Sequence, residues 1–366
     1  MHSVRLDDLR RFTVARSLFP ATTLAGALDR MGFVQADPIR APARAQDLIL
    51  RHRVADYRAG DLDRSYETLD VSEDTFINYG YVTTAVQSLM HPRTGAGAKW
   101  GGAKWSPARS RRARLLLEFV RARGEAHPRE INERFAHGAV TNYWGGNSNA
   151  TTHLLDTMHY RGMVRIARRE AGIRIYAAHE HPPSNLSPEE RLDALIDVAI
   201  RLYAPLPAPS LTSLVRRLRL AAPQWRGELT KALARAKARL AHARMDGVDW
   251  YWPADEYPAA CADPEPVRLL APFDPVVWDR ARFELLWGWA YRFEAYTPVA
   301  KRVRGYYALP LLWRDEVIGW TNAAVTGGEL NFDFGYAKKE PRTRMFRREL
   351  ATELERMRGF LGLSPL

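Results

Sequence analysis

The fold is decided by four consecutive stretches: SRRARLLLEFVRARG (residues 110–124), HPREINERF (127–135), GGNSNATTHLLDTMHYRG (145–162) and MVRIARREAGIRIYAA (163–178). The first three have apolar residues at helical spacing, and the third opens with small polar N-cap residues and closes on Gly162. The last alternates apolar and basic residues about a turn at Glu170-Ala171-Gly172, which predicts a hairpin. Three helices followed by a two-stranded ribbon are typical of a winged helix, a helix-turn-helix variant.

A looser version of this pattern follows in SPEERLDALIDVAIRLY (187–203), SLTSLVRRLRL (210–220), RGELTKALARAKARLAHARM (226–245) and DGVDWYWPADE (246–256). These stretches again predict three helices and a short strand pair. Near the start of the chain, two short helices separated by Pro20 precede an extended piece at Phe33-Val34, so a degenerate third module is expected there.

From Pro266 onward, aromatic and β-branched runs predict a small β-sheet or barrel with a turn at Gly327-Gly328. EPRTRMFRRELATELERMRGFLG (340–362) predicts a closing basic amphipathic helix. We therefore expect a mainly α protein with β-structure: tandem winged helices followed by a small C-terminal barrel or sheet. The expected domains are residues 1–92, 93–183, 184–262 and 263–366.

The composition favours a nucleic-acid partner. The chain has 366 residues, with 54 Lys and Arg against 42 Asp and Glu, for a net charge of +12. A basic chain suits DNA first and an anionic membrane surface second, although GC-rich genomes also enrich arginine. Cys261 is the single cysteine, and the first twenty residues are too charged for a signal peptide. We expect a soluble, nucleoid-associated cytoplasmic protein.

One carboxylate stands out in GFVQADPIRAPARAQDLILRHRV (32–54), where Asp37 precedes a row of arginines. Pro38 disfavours helical geometry at Asp37, so Gln35 and Asp37 lie two positions apart on extended backbone and point the same way. Such a pair can hold one water for hydrolysis of an N-glycosidic bond, because an alkylated purine is already a cationic leaving group. Asp37 can equally cap a following helix or pair with Arg40.

Basic side chains around these motifs are candidate DNA contacts. In the segment after Asp37 they are Arg40, Arg44, Arg51 and His52. In the Gly- and Lys-rich loop and the helix after it they are Lys99, Lys104, Arg109, Arg111 and Arg112. In the ribbon they are Arg165, Arg168, Arg169 and Arg174, where a wing would meet DNA. A solvated helix face or a plain surface hairpin would explain the same charges.

Three further features leave two interpretations open. Asn147 at the start of the third helix can donate to a phosphate or cap the helix. Lys301, Arg302 and Arg304 in KRVRGYY (301–307) can meet the DNA backbone or lie on the outer face of a strand pair. In FDPVVWD (273–279), Asp274 and Asp279 can serve acid chemistry, or form a turn and pair with Arg280 or Arg282. The histidine and cysteine spacings predict no metal site, and there is no P-loop for a nucleotide.

Several stretches together resemble the AlkZ/YcaQ-like DNA glycosylases, bacterial enzymes that excise N-alkylated purines and unhook interstrand crosslinks. These stretches are residues 32–54, LMHPR (89–93), residues 110–124 and 143–176, and LAPFDPVVWDRARFELLWGWAYRFEAYTPVAKRVRGYYALPLLW (270–313). The most specific are the segment around Gln35-Ala36-Asp37 and the block from Phe273 to Pro310. In that family a Gln–aliphatic–Gln or Gln–aliphatic–Asp element is catalytic, and Gln35 and Asp37 match its Asp form. The resemblance also implies three tandem winged helices and a C-terminal barrel that line a concave basic DNA channel. It implies metal-independent hydrolysis without a lysine Schiff base or any cofactor.

The sequence departs from the family in two places. Gln46-Asp47 stand where many relatives carry His-His, and the end of the barrel, GWTNAAVTGGELNFDFGY (319–336), lacks expected charges. The leading hypothesis is a monomeric, monofunctional DNA glycosylase acting on double-stranded DNA with alkylated or crosslinked purines, with no membrane partner. A non-enzymatic winged-helix DNA-binding or regulatory protein is the alternative, and binding of structured RNA is a third hypothesis.

Overall fold

The computed structural model describes residues 4–93, 105–135, 138–141, 147–181, 184–258, 261 and 266–364. Internal contacts divide the chain into two compact units. Unit 1 comprises Met1–Leu62, Val198–Leu214 and Arg235–Leu366, and unit 2 comprises Asp63–Asp197 and Val215–Ala234. The four domain boundaries expected from the sequence stay a prediction. In the described ranges, no helix is both long and apolar enough to cross a membrane.

Helices and short antiparallel sheets alternate along the chain. Helices α1 to α13 are Leu6–Ser17, Leu24–Met31, Ala45–Leu50, Asp61–Ser65, Thr84–Met90, Pro107–Arg123, Pro128–Phe135, Ala150–Tyr160, Pro188–Tyr203, Ala208–Arg217, Leu229–Arg239, Arg280–Trp287 and Arg344–Leu361. Strands β1 to β15 are Phe33–Gln35, Val71–Thr75, Tyr79–Thr83, Glu125–Ala126, Ala139–Thr141, Asn147–Asn149, Val164–Glu170, Ile173–Ala178, Leu206–Pro207, Leu240–Met245, Val248–Pro253, Arg268–Leu269, Leu309–Trp313, Glu316–Thr326 and Glu329–Tyr336.

Unit 2 contains the helices and the hairpin predicted from residues 110–178. The Ser106 side chain caps α6 by accepting from the Arg109 N–H, and Pro107 occupies the first helical position. Strands β7 and β8 pair up to Glu170 and Ile173 around a two-residue turn in which Ala171 and Gly172 both have positive φ. The sheet order is β4-β8-β7. The predicted order of three helices and a hairpin is therefore confirmed, while the name winged helix stays a prediction.

One apolar core joins these helices to the hairpin. Its fully buried side chains come from α6, α7, α8 and both strands of the hairpin: Ala113, Leu116, Val120, Ile131, Leu155, Met158, Ile166 and Tyr176. The start of α8 differs from the prediction, because Asn147 lies on β6 opposite Thr141 and Asn149 is the cap, accepting from the Thr151 and Thr152 N–H groups. The side chain of Asn147 lies outside the described residues, so its predicted phosphate contact stays a prediction.

Unit 1 contains the predicted C-terminal sheet, with four antiparallel strands in the order β12-β13-β14-β15. Buried and partly exposed residues alternate along β14 from Val317 to Ala323, which places one face of this strand on the core. Gly327 and Gly328 form the turn to β15, as predicted, and both have positive φ. A second strand pair, β10–β11, is also present, with β9 beside β11. Its first strand, Leu240–Met245, corrects the prediction, because that stretch was expected to continue the helix that ends at Arg239.

Candidate active site

A sharp change of direction after α2 places the Gln35–Asp37 segment in unit 1. Gly32 adopts a left-handed conformation (φ 67°) and its N–H donates to the Leu28 carbonyl, which closes the helix. Strand β1 follows at once, and all three of its residues are buried. Gln35 is thus presented from a buried strand rather than from a surface loop, as the extended geometry at Phe33-Val34 predicted.

Gln35 is held by a tryptophan that is distant in sequence. Its Oε1 accepts a hydrogen bond from the Trp278 indole N–H at 3.0 Å. Because an indole nitrogen only donates, this contact fixes which end of the Gln35 amide faces the ring. The Trp278 ring in turn lies 4.7 Å from the Tyr203 ring. Gln35 is therefore a buried, oriented amide.

Asp37 has a half-buried side chain on non-helical backbone. Its Oδ1 accepts from the Ile39 N–H at 2.9 Å, and its own N–H donates to Gln46 Oε1 at 3.4 Å. The next helix, α3, begins only at Ala45, so Asp37 caps a local turn and not a helix. Burial raises the pKa of Asp37, and the hydrogen bond from Ile39 partly offsets that shift.

The arginines after Asp37 pair with other carboxylates. Arg44 Nε lies 3.6 Å from Asp47 Oδ2, and Arg51 Nη1 donates to Glu353 Oε1 at 2.8 Å. Arg53 donates to both oxygens of Asp274, at 2.8 and 3.0 Å. Asp37 forms no ion pair with a described residue, and Arg40, the alternative partner, is exposed. The carboxylate that precedes the arginines is thus not neutralised by them.

Two of the predicted DNA contacts in this segment, Arg51 and His52, are buried, and their contact with DNA stays a prediction. The Arg51 side chain is only 3% exposed and its charge is balanced by buried Glu353. His52 is 5% exposed, and its ring Nε2 lies 2.8 Å from the Leu269 carbonyl oxygen. Burial and neighbouring arginines hold the pKa of His52 well below its ordinary value. Arg40 remains accessible, and Arg44 is mostly covered.

The residues that replace the His-His pair have local contacts. Gln46 is buried and accepts from the Asp37 backbone, as described above. Asp47 Oδ1 accepts from the Tyr57 hydroxyl and the Gly60 N–H, each at 2.9 Å. Gln46 therefore belongs to the Asp37 turn, whereas Asp47 stabilises the chain around Tyr57.

Sequence reasoning missed Tyr307. This tyrosine is buried, its ring lies 5.3 Å edge-on from Phe293, and its hydroxyl has no hydrogen-bond partner among the described residues. Burial raises the pKa of Tyr307, and the Asp37 charge raises it further, so the two groups lie within electrostatic range. The only local signal was a tyrosine directly before the apolar run of β13, which is more typical of a core residue.

The turn FDPVVWD is structural in the part of the chain described. Asp274 is fully buried against Arg53 and also accepts from the Val276 N–H, while Asp279 caps α12 through the Arg282 N–H. The turn and its carboxylate pairing occur as one alternative predicted, but Asp274 pairs with Arg53 instead of Arg280 or Arg282. The turn also supplies Trp278 to Gln35.

The predicted contacts on α6 have mixed environments. Arg111 and Arg112 are exposed, whereas Arg109 is half-buried, donates to Thr157 Oγ1 at 2.9 Å and lies over the Trp105 ring. Lys99 and Lys104 lie outside the described residues. Arg111 and Arg112 are therefore the accessible cations of this group.

The hairpin arginines are mostly paired. Arg169 donates through two nitrogens to both oxygens of buried Glu73, each at 2.6 Å. Arg168 pairs with Glu125 and Glu170, and Arg174 with Asp156 at 3.0 Å. A buried carboxylate holds the Arg169 guanidinium, so its predicted DNA contact stays a prediction that would require this pair to open. Arg165 is exposed and remains a candidate.

The three predicted contacts in KRVRGYY also differ in exposure and in their contacts. Lys301 is exposed, and Arg302 is half-buried with its Nε donating to the Thr297 carbonyl at 2.8 Å. The Arg304 guanidinium lies 5.3 Å from both the Trp289 and the Trp320 ring centres. Its buried Nε and two aromatic neighbours show that Arg304 packs against the sheet, and its predicted contact with a phosphate stays a prediction.

A histidine cluster lies in unit 2. The rings of His91, His179 and His181 approach one another at 4.1 to 5.9 Å, and His91 Nε2 lies 2.6 Å from Asp74 Oδ2. Burial lowers the pKa of His91 to about 4 and that of His179 to about 3. Across the described ranges, no group of three or more His, Cys, Asp or Glu residues is arranged to hold a metal ion.

Comparison with known proteins gives the family. The model of a family described as DNA glycosylase AlkZ-like matches residues 28–360, which include Gln35 and Asp37. The structure of Streptomyces sahachiroi DNA glycosylase AlkZ is 14% identical, with a TM-score of 0.66 over 100% of this chain and 99% of that chain. At this identity the structural similarity shows the fold, while the family match spans nearly the whole sequence. The resemblance stated from the sequence is confirmed, and this chain belongs to the AlkZ-like DNA glycosylase family.

Proposed function

We propose that the protein is a monofunctional DNA glycosylase that hydrolyses the N-glycosidic bond of N-alkylated purines. The bond between C1′ and the purine nitrogen breaks, and its electron pair neutralises the cationic base. A water oxygen bonds to C1′, and its proton passes to the Asp37 carboxylate. Because the alkylated base leaves as a neutral molecule, this reaction needs no strong general acid.

The environment of Asp37 is the observation that supports this proposal. The side chain is half-buried and forms no ion pair with a described residue, although four arginines follow it in the sequence. An unneutralised carboxylate stabilises the positive charge that develops on the sugar. Partial burial also raises the pKa of Asp37, which makes the carboxylate a better proton acceptor while it keeps contact with water.

Two further side chains would position the water. The Trp278 indole N–H orients the Gln35 carbonyl, and we assign this carbonyl as the acceptor that holds the water. The Tyr307 hydroxyl lies within electrostatic range of Asp37 and has no partner among the described residues. We assign Tyr307 as a positioning residue that donates to the water beside Asp37.

Crosslinked purines are part of the proposed substrate class. A base that is bonded to the opposite strand cannot be rotated into a closed pocket, so its sugar must be reached along an open surface. Asp37 retains solvent exposure, and Pro38 and Arg40 beside it are exposed. This accessibility is compatible with attack on a bulky lesion that stays in the duplex.

The test is release of 7-methylguanine from methylated duplex DNA by Asp37→Ala and Asp37→Asn. We expect a loss of about 100-fold or more, the usual contribution of a positioned base. Duplex affinity in a gel-shift assay should stay within a few-fold. Asp29→Asn, an exposed aspartate on α2, is the matched control and should retain activity. Borohydride should trap no enzyme–DNA adduct, because no lysine Schiff base forms.

Full activity of both Asp37 variants would defeat the proposal. If the wild-type protein bound alkylated and random duplexes equally and left no alkali-labile abasic sites, the DNA-binding alternative without catalysis would replace it. A defined interstrand crosslink treated in the same way tests whether crosslinked purines belong to the substrate class.

A further inference from the structure

The loop from Glu294 to Tyr306, called the 294–306 loop below, carries the most exposed large apolar side chains of the described residues. Tyr296 is 82% exposed, Val299 75% and Val303 73%, whereas no such side chain outside this loop exceeds 49%. Single exposed apolar residues are ordinary on protein surfaces. A cluster of them within one short loop indicates a surface that contacts another molecule.

Hydrogen bonds across its base fix the conformation of this loop. Glu294 is buried, and its Oε2 accepts from the Val303 and Arg304 N–H groups at 3.0 and 2.7 Å. The Thr297 N–H donates to the Glu294 carbonyl at 2.9 Å, and Arg302 Nε donates to the Thr297 carbonyl at 2.8 Å. The exposed side chains therefore project from an ordered backbone.

The C-terminal end of the loop is anchored to the sheet. The Arg304 guanidinium lies 5.3 Å from the ring centres of both Trp289 and Trp320, and the Arg304 carbonyl accepts from Asn322 Nδ2 at 2.6 Å. Gly305 has a φ of 108°, and a Cβ atom there would collide with the Asn322 amide. A glycine is thus required for the loop to turn into Tyr306 and Tyr307.

Aromatic contacts join the loop to Tyr307, the tyrosine that the proposed function places next to Asp37. The Phe293 ring contacts Tyr307 at 5.3 Å and Tyr296 at 6.1 Å, so it packs between the buried and the exposed tyrosine. Both Asp37 and Tyr296 lie close enough to Tyr307 to raise the pKa of its hydroxyl. Tyr307 is therefore the link between Asp37 and the exposed end of the loop.

A second series of contacts connects the loop to Gln35. Gln35 is bonded to Trp278, and two residues later the Arg280 guanidinium lies 4.5 Å from the Tyr291 ring centre. The Tyr291 hydroxyl donates to the Ala308 carbonyl at 2.6 Å. The chain segments on both sides of the loop are thus tied to the same site.

The positive charges of the loop indicate that its partner is DNA. Lys301 is exposed and Arg302 is half-exposed among the apolar side chains. Apolar side chains flanked by cations are what proteins use to enter the stack of a duplex, because the cations hold the phosphates while the apolar group replaces base–base contact.

We propose that the 294–306 loop is a wedge that inserts Tyr296, supported by Val299 and Val303, at the base step next to the damaged nucleotide. This inference rests on the proposed function, because it assumes that a lesion is presented to Asp37. Insertion opens the stack and exposes C1′ of the damaged nucleotide to the water held by Asp37.

The test measures unstacking without chemistry. The probe is a duplex with a stable tetrahydrofuran abasic analogue and 2-aminopurine at the adjacent step, whose fluorescence rises when it is unstacked. We expect the wild-type protein to raise the fluorescence, and Tyr296→Ala and the double variant Val299→Ser/Val303→Ser to lose most of that rise. Affinity for undamaged duplex should change by about twofold or less in these variants, since phosphate contacts supply it.

Two matched variants separate apolar insertion from charge and from general surface effects. Val325 is an exposed valine on β14, outside the loop, and Val325→Ser should keep the wild-type fluorescence rise. Lys301→Ala should weaken binding to damaged and undamaged duplex alike, while the rise at saturation is retained. Circular dichroism of each variant confirms that it is folded.

Wild-type fluorescence in folded Tyr296→Ala and Val299→Ser/Val303→Ser would overturn the wedge. So would a wild-type dimer in gel filtration that these substitutions make monomeric, because the apolar cluster would then join two copies. The readout does not depend on Asp37 chemistry. If the loop variants lose the fluorescence rise but Asp37→Asn still excises 7-methylguanine, only the proposed function is rejected. If the wild-type protein gives no fluorescence rise and Asp37→Asn is inactive, only the wedge is rejected.

Discussion

The Arg53 guanidinium donates to both carboxylate oxygens of Asp274, at 2.8 and 3.0 Å, and neither side chain is exposed to solvent. Arg53 also donates to the Ser17 and Ile49 carbonyls, so one buried cation joins three segments of unit 1. The pair holds the turn that presents Trp278 to Gln35, and Asp274 balances the buried charge of Arg53.

Asp274→Ala should lower the free energy of unfolding by about 3–5 kcal/mol, because it leaves Arg53 buried without its counter-charge. The control is Asp255→Ala, which removes the exposed partner of Arg201 and should cost less than about 1 kcal/mol. Urea unfolding followed by circular dichroism measures both. Equal effects of the two substitutions would contradict the structural role of the buried pair.

Tyr307→Phe should lower activity without destabilising the protein. The hydroxyl donates to no described protein group, so its removal breaks no hydrogen bond within the described residues and the melting temperature should not fall. Excision of 7-methylguanine should slow by about tenfold, because the hydroxyl positions the water. A lower rate without a loss of stability is not expected of a residue that only packs.

Tyr291→Phe is the matched comparison for Tyr307→Phe. Its hydroxyl donates to the Ala308 carbonyl, so its loss should destabilise the protein by about 1 kcal/mol. An unchanged rate in Tyr307→Phe, measured under single-turnover conditions, would remove Tyr307 from the proposed site.

The histidine cluster predicts acid sensitivity of unit 2. The pKa of His91 is lowered to about 4 and that of His179 to about 3, from an ordinary 6.5, in surroundings that include Asp74, Arg93, Arg165 and His181. The unfolded chain binds these protons at about pH 6.5 and the folded chain does not. Stability is therefore complete above pH 6.5 and is lost as the pH falls from 6.5 toward 4.

The slope of the unfolding free energy should approach about 1.4 kcal/mol per pH unit for each such histidine. His179→Gln should flatten the slope measured by thermal unfolding between pH 7.5 and pH 4.5. His153→Gln, at an exposed position on α8, should leave it unchanged. The idea fails if wild-type stability is flat across this range.

Local signals predicted the strand–turn geometry of the site. Gly32 ends α2 in a left-handed conformation and Pro38 follows Asp37, so the extended segment between them is readable from the sequence. The turns at Gly172 and at Gly327-Gly328 were predicted for the same reason, since glycine supplies positive φ at a hairpin. Each of these features depends on residues within a few positions of one another.

The partners of the charged residues were not predictable. Gln35 meets Trp278 across 243 positions, Arg51 meets Glu353 across 302, and Arg53 meets Asp274 across 221. An arginine that pairs with a buried carboxylate has the same local sequence as one that binds a phosphate. Local residues therefore led to Asp37 as the candidate carboxylate, whereas they could not indicate that Arg51 and Arg169, both predicted DNA contacts, pair with buried acids.

Exposed arginines on α6 should contribute phosphate contacts. The double variant Arg111→Ala/Arg112→Ala should bind duplex DNA more weakly than the wild type. The magnitude of the slope of log K against log salt should fall by about 2, because each lost phosphate contact contributes about 0.9. The charge-matched control is Lys338→Ala/Lys339→Ala, an exposed pair in unit 1. Equal slopes for the two double variants would show that only net charge matters.

The pH dependence of excision should report the environment of Asp37. Burial raises the pKa of this carboxyl above its ordinary 3.8, and the ionised form accepts the proton from water. The single-turnover rate should therefore fall as the pH drops through that raised pKa, after subtraction of the loss of base from DNA without enzyme.

Gln46→Glu keeps an acceptor for the Asp37 N–H and adds a second negative charge beside it. Like charge raises a carboxyl pKa, so the acid limb should move to higher pH in this variant. Gln46→Ala removes the acceptor without adding charge and should lower the rate while the limb stays near its wild-type position. An acid limb that does not move in a folded Gln46→Glu protein would mean that a group other than Asp37 accepts the proton.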